Sequence, residues 1–239
     1  MIKEILSVKP FAVIGHRGAG GEKPENTLSA ISHGISAGAD IVEVDVRKTK
    51  DGKLVLFHDK DLKRLTGRAV PISQLDYSFI EENVRIDGER IPLLEEALEL
   101  VGGKAGIFIE IKEPETTPRI IQTVKENDAI SWVCIISFYE EALSEAKKLI
   151  PEITTGLIYM RPPGKILEAK QIGADVVLPV KNLATEKAVR FAHRMGLKVV
   201  SWVINDFETA EIMYQRGVNG IASDYPSMAV EWKNRLKGG

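Results

Sequence analysis

The chain has 239 residues, of which 44% are hydrophobic and 28% charged, with a formal net charge of −2. This is the composition of an ordinary soluble globular protein with enough residues for one large domain, and it excludes an overall basic field that would recruit nucleic acid or an anionic membrane. The single cysteine, Cys134, sits in an apolar run and has no internal disulfide partner, which suits a reducing compartment. The N-terminal stretch Met1–Leu6 lacks the long apolar core of a signal peptide. No run approaches the roughly 18 apolar residues that span a bilayer. The expected location is the cytoplasm, without stable membrane insertion.

In chain order, short Val- and Ile-rich runs predict strands at Phe11–Gly15, Ile41–Arg47, Leu54–Phe57, Ile107–Ile111, Val133–Ser137, Thr155–Tyr159, Val176–Pro179, Val199–Ile204 and Gly220–Ser223. Amphipathic helical patterns such as Ile91–Val101 and Thr185–Met195 lie between them. Regular strand–helix alternation predicts a parallel α/β construction. Glycine ends several helices just before the next strand, at Gly38, Gly173, Gly196 and Gly217.

Nine runs exceed a closed eight-stranded barrel by one, and the extra strand is identifiable. Lys50-Asp51-Gly52-Lys53 is a tight-turn signal, and a two-residue hairpin joins antiparallel strands only. Leu54–Phe57 is therefore expected to fold back on the preceding strand at the C-terminal mouth of a (β/α)8 TIM barrel. Residues 60–90 are charged, rich in turn residues and break the rhythm. They read as a small insertion over the open end of a single domain spanning residues 1–239.

The strongest chemical signal is Ile41-Val42-Glu43-Val44-Asp45-Val46. In a strand, Glu43 and Asp45 share one face and the valines the other. Outward valines would pack on helices and leave two carboxylates pointing into the barrel. Burying them costs several kcal/mol each unless they are paired or bind a cation. Glu110 and Lys112 share a face in the same way. Three carboxylates from two strands suit Mg2+, Ca2+ or Mn2+; the alternative is an ion-pair network neutralised by Lys112 and Arg17.

Of four histidines, His16 and His58 fall at strand ends, where barrel enzymes place their sites. Near three carboxylates they could supply a general base and a general acid. His33 and His193 lie on predicted helices and read as solvated or packing residues. Arg17 and Lys112 offer contacts to phosphate oxygens. Gly15-His16-Arg17-Gly18-Ala19-Gly20-Gly21 lacks the spacing of a nucleotide-binding loop. Pro24-Glu25-Asn26-Thr27 reads as a helix cap without catalytic meaning. Phe138 and Trp202 are either core residues or an apolar pocket wall.

Taken in order, His16-Arg17-Gly18, Pro24-Glu25-Asn26-Thr27, Glu43-x-Asp45-Val46, Thr49-Lys50-Asp51-Gly52, His58-Asp59, Ile91-Pro92-x-Leu94 and Glu110-Ile111-Lys112 resemble the glycerophosphodiester phosphodiesterase family. Ser137-Phe138, Trp202-Val203 and Gly220-Ile221-x-Ser223-Asp224-x-Pro226 continue the likeness over almost the whole chain. The resemblance implies a (β/α)8 barrel with a small insertion after His58-Asp59. It implies one divalent cation on Glu43, Asp45 and Glu110, with His16 and His58 as the acid–base pair. It further implies that Arg17 and Lys112 contact the phosphate, that Phe138 and Trp202 line the glycerol or alcohol pocket, and that the insertion senses the leaving alcohol.

The activity implied is hydrolysis of a small glycerophosphodiester to sn-glycerol 3-phosphate and an alcohol. The nucleophile is either water or the substrate's own 2-hydroxyl. A first assignment of the histidines makes His16 the base and His58 the acid, without a residue that fixes the direction. The rival readings are a lysophospholipase D or phospholipase C-like enzyme acting on lipid, and a non-catalytic barrel that keeps an ion-pair core. A charged rather than apolar insertion argues against the lipid enzyme. Neither the preferred ion, the head group nor the oligomeric state is encoded in these patterns.

Overall fold

A computed structural model describes residues 1–237. Its strands are β1 (Ala12–Gly15), β2 (Ile41–Lys48), β3 (Leu54–Leu56), β4 (Arg85–Ile86), β5 (Glu89–Arg90), β6 (Gly106–Ile111), β7 (Val133–Ser137), β8 (Thr154–Tyr159), β9 (Val176–Pro179), β10 (Lys198–Ser201) and β11 (Gly220–Ser223). β1, β2 and β6 to β11 pair in parallel in that order, and β1 also pairs with β11, which closes the ring. Each ring strand is followed by a helix running back along the outside, from Leu28–Ser36 after β1 to Pro226–Lys237 after β11. This is the expected (β/α)8 barrel.

β3 lies outside the ring, antiparallel to the end of β2, with Lys48 opposite Leu54 and Val46 opposite Leu56. The strand is where the turn signal put it, but the turn is longer than two residues. Residues 49–53 form the loop, closed by Thr49 N–H donating to the Lys53 carbonyl at 2.9 Å. The Thr49 hydroxyl also bonds the Asp51 carboxylate at 2.6 Å, a side-chain-stabilised turn of the kind short polar residues make.

Strand periodicity sorts the core into two layers. Outward residues such as Val42, Val44, Ile107, Ile109, Val133 and Ile135 pack against the helices. Inward residues Ile14, Ile41, Phe108, Cys134, Ile136, Ile158, Leu178 and Val200 fill the barrel. Burial pushes the Cys134 thiol well up, so it is an inert packing residue. At the N-terminal end a short helix, α1 (Ile2–Ile5), plugs the floor with Ile2 and Leu6. Lys3 pairs with Asp175 at 2.7 Å to hold it there.

Between β3 and β6 the chain leaves the barrel. It forms α2 (Lys63–Thr66), α3 (Tyr77–Asn83) and the β4–β5 ribbon before returning through α4 (Leu94–Val101). Its charged surface conceals a small apolar core of its own, in which Leu62, Ile72, Tyr77, Ile80, Val84 and Ile86 pack under Val55 and Phe57. α4 begins three residues later than the apolar pattern beginning at Ile91, because Ile91 belongs to that second core. β10 stops at Ser201, before the expected Ile204. Trp202 makes only an isolated bridge to Val180, since here the chain turns toward the barrel mouth. No helix among the described residues is long and apolar enough to cross a membrane.

The floor plug gives a measurable consequence. Leu6 is fully buried, so Leu6→Ala should cost about 2–4 kcal/mol, read as a lower urea midpoint with an unchanged slope.

Candidate active site

The mouth of the barrel is a cavity of about 360 Å3, lined on one side by His16, Arg17, Glu43, Asp45, His58, Glu110 and Lys112. The other side is apolar, with Ile136, Phe138, Ile158, Met160, Leu178 and Trp202. All nine residues singled out from the sequence therefore meet in one place. The apolar half comes from the ends of β7 to β10 and the segments that follow them. No residue between 59 and 107 lines the cavity.

The carboxylates come together because of register. Asp45 on β2 stands beside Glu110 on β6, and Glu43 beside Phe108. With alternate residues facing inward, one oxygen from each of Glu43, Asp45 and Glu110 falls within 4.8 Å of the others. All three are buried, Asp45 to 1% exposure and Glu43 to 4%.

Their counter-charges are unevenly shared. Lys112 Nζ donates to Asp45 Oδ1 at 2.7 Å and Glu110 Oε1 at 2.6 Å. Arg17 Nη1 donates to Glu25 at 2.7 Å, and its Nε lies 3.4 Å from Asp45. Glu43 has no lysine or arginine partner; it accepts the Arg17 backbone N–H at 2.8 Å, and Oε1 is buried without a hydrogen bond.

The pKa directions follow this division. Burial and then repulsion from Asp45 push the Glu43 carboxyl up to about 7. Burial acts on Asp45 too, but Lys112 and Arg17 outweigh it and hold the carboxyl far below its usual range. Burial also raises Glu110, opposed by Lys112. Lysine and arginine supply two cations for three buried acids, one of them shared with Glu25, and Glu43 faces only the His16 ring, with Nε2 at 3.9 Å from Oε2. An all-oxygen donor set with one oxygen left unpartnered fits a hard divalent cation better than a self-contained ion-pair network.

Tight backbone turns set up this arrangement. Gly15 ends β1 where a Cβ would stand 2.0 Å from the Gly18 carbonyl oxygen, so only glycine allows that close approach. Arg17 and Asn26 adopt positive φ, +52° and +57°, a conformation uncommon outside glycine. Asn26 N–H donates to the Arg17 carbonyl at 3.0 Å. Its side chain donates to Asp45 Oδ2 at 2.8 Å and accepts the Asp45 N–H at 3.0 Å. The Pro24–Thr27 segment is thus more than a helix cap. Thr27 does cap the following helix by accepting the Ala30 N–H, while Glu25 and Asn26 hold Arg17 and Asp45.

Each cavity histidine is braced from behind. His16 Nδ1 is 2.6 Å from Asp224 Oδ1, and Asn205 donates to the other Asp224 oxygen at 2.7 Å. His58 Nδ1 is 2.8 Å from Asp59 Oδ1. A carboxylate only accepts, so both rings carry the proton on Nδ1 and leave Nε2 available. Burial lowers the pKa of both, but Asp224 and Glu43 reverse this for His16, which ends above its ordinary value. For His58 burial prevails despite the pull of Asp45, and it ends below.

Asp224, Asn205, Asn26 and Glu25 have no site role in the sequence reading. Short motifs contained Asp224, Glu25 and Asn26, but nothing local marks them as partners of residues far along the chain. His33 and His193 lie on helices as expected, bonded to Glu22 and Asn219. Phe138 and Trp202 meet edge to face, with ring centroids 5.9 Å apart, and Trp202 Nε1 donates to the Leu178 carbonyl.

Comparison with known proteins agrees with this geometry. The profile of the glycerophosphoryl diester phosphodiesterase family matches residues 16–228. A glycerophosphodiester phosphodiesterase of Caldanaerobacter subterraneus subsp. tengcongensis is 33% identical over 91% of this chain and 96% of its own. A phosphodiesterase of Oleispira antarctica, solved in complex with the product sn-glycerol-3-phosphate, superposes with a TM-score of 0.84 at 28% identity, covering 93% of this chain and 96% of that one. A lysophospholipase D of Rattus norvegicus is 26% identical over 93% of this chain and 86% of its own. The chain belongs to the glycerophosphoryl diester phosphodiesterase family and is a phosphoric diester hydrolase.

Proposed function

We propose that the enzyme hydrolyses small glycerophosphodiesters to sn-glycerol 3-phosphate and an alcohol, using His16 and His58 as the acid–base pair beside one divalent cation. The observation that carries this reading is the convergence of two carboxylate-braced histidines on a cavity containing an unpartnered buried carboxylate oxygen. Glu43, Asp45 and Glu110 would hold Mg2+, Ca2+ or Mn2+, which supplies Lewis-acid stabilisation of phosphoryl charge. Arg17 and Lys112 add positive charge on the same side of the cavity and orient the phosphate.

The bracing supports one direction for the proton transfers. Asp224 and Glu43 favour the charged form of His16, which suits it to give a proton to the departing alkoxide. His58 stays neutral more readily, which suits it to take the proton of the nucleophile. This is the opposite of the direction first taken from sequence, where no residue fixed it. Phe138 and Trp202 present an apolar surface to the glycerol carbons or to the alcohol.

A second reading, a lysophospholipase D, has the apolar half of the cavity in its favour. Met160 stands at its rim with 55% of its surface exposed, and the rat relative bears that name.

Release of sn-glycerol 3-phosphate from glycerophosphocholine should stop with EDTA and return with added Mg2+, Mn2+ or Ca2+. His16→Ala and His58→Ala should each lower turnover by about 10²–10⁴-fold; losses under tenfold would remove them as the acid–base pair. Faster turnover of lysophosphatidylcholine than of glycerophosphocholine would favour the second reading.

Metal-free stability gives an independent check. The folded Glu43 carboxyl binds its proton up to about 7, against 4.5 when unperturbed. Between those values the folded state holds the proton that the unfolded state has lost, so Glu43 makes stability fall as pH rises. In EDTA, urea melts of the wild type should lose stability relative to Glu43→Gln from pH 4.5 to 7. Added divalent cation should raise the Tm of the wild type and not of the variant.

A further inference from the structure

Past His58 the excursion contributes nothing to the cavity wall before Phe108, yet one of its side chains reaches both halves of the catalytic machinery. Arg64, on the one-turn helix α2, donates through Nε to Asp59 Oδ2 at 2.6 Å and through Nη2 to Glu25 Oε1. Asp59 in turn holds His58 Nδ1 through its other oxygen, and Glu25 holds Arg17 Nη1 through its other oxygen. The result is a chain of alternating charge, Arg17–Glu25–Arg64–Asp59–His58, in which each carboxylate bridges a residue of the cavity to the same guanidinium. Arg64 itself is half exposed and lines no part of the cavity.

We propose that Arg64 is a positioning residue: it fixes Asp59 behind His58 and Glu25 behind Arg17, and so couples the excursion to the orientation of both. The inference rests on the role given to His58 above. The guanidinium is suited to this because its fork spans two carboxylates in one plane, which a lysine ammonium does not reproduce. Without it Asp59 keeps no basic partner other than His58. The carboxylate is then free to rotate, and the Nδ1–H tautomer of His58 loses its fixed acceptor. Glu25 keeps Arg17, so the larger effect falls on the histidine.

Arg64 is separable from folding. The excursion is also tied down by Lys50 N–H to the Leu75 carbonyl, Tyr77 N–H to Asp51, Ser29 to Glu89 and its own apolar core. α2 contributes no buried residue. Arg64→Ala should therefore leave the Tm close to that of the wild type.

The test uses the full chain and two readouts. In 15N-histidine NMR of the protein without substrate, at a pH where His58 is neutral, the wild type should show His58 mainly as the Nδ1–H tautomer. Arg64→Ala should shift it toward a mixture, and millimolar guanidinium should restore it, while Arg64→Lys should recover little. In turnover of glycerophosphocholine, Arg64→Ala should lower kcat about ten- to a hundredfold with KM changed less than threefold. Adding it to Asp59→Ala should lower kcat by much less than it does in the wild type, the remainder passing through Glu25 and Arg17, as for residues acting largely through one another. An unchanged tautomer in Arg64→Ala, or a full multiplicative loss in the double variant, would overturn the proposal. The NMR arm needs no substrate, so failure of the proposed activity and failure of this inference are distinguishable.

Discussion

Three carboxylates share the mouth of one barrel, and the repulsion among them governs much of the surrounding structure. Register alone puts Asp45 beside Glu110 and leaves Glu43 one pleat below. Lys112 is drawn between Asp45 and Glu110, and Arg17 is placed against the other side of Asp45. Asn26 and the Arg17 backbone N–H, both held at positive φ, satisfy oxygens that would otherwise be stranded. What remains is Glu43, a buried carboxyl with an unpartnered Oε1 that can carry its charge only at a high cost. A protein that only stored an ion-pair core would gain from neutralising that charge, since an uncompensated buried ion is costly.

The same barrel supplies the opposite surface. β7 to β10 present aliphatic and aromatic side chains to the cavity, and the polar groups cluster on the β1, β2 and β6 side. A diester bound across this boundary would have its phosphate among cations and its alcohol against hydrocarbon. That division accommodates a small alcohol without dedicated hydrogen bonds, and it is also why a lipid alcohol is a coherent rival. Behind the polar half, each histidine leans on a carboxylate held by a further side chain, Asn205 for Asp224 and Arg64 for Asp59. Such outer partners fix the proton on one ring nitrogen and hold the ring in place.

The excursion illustrates how composition misleads about burial. Its charge density reads as a solvated cover, yet seven buried apolar residues, Leu62 to Ile91, build a separate core beneath Val55 and Phe57. The apolar positions are scattered over short turns and one-turn helices, so no period of 2 or 3.6 reveals them. Its link to the site is equally hidden, because an exposed arginine in a charged run has no local feature that distinguishes it from its neighbours.

The sequence by itself determined the strand–helix alternation, the eight-stranded closure with one strand turned back, and the inward face of Glu43, Asp45 and Glu110. These depend on periods of two and on turn residues, which act within a few positions of the chain. Those local rules also brought His16 and His58 to strand ends. Only the tertiary structure decided which groups stand behind them. Asp224 meets His16 across 208 residues of chain, Arg64 meets Glu25 across 39, and the apolar half of the cavity gathers from four strands. Those contacts are set by closure of the ring and by side-chain geometry at its mouth, neither of which leaves a periodic trace in the order of the residues.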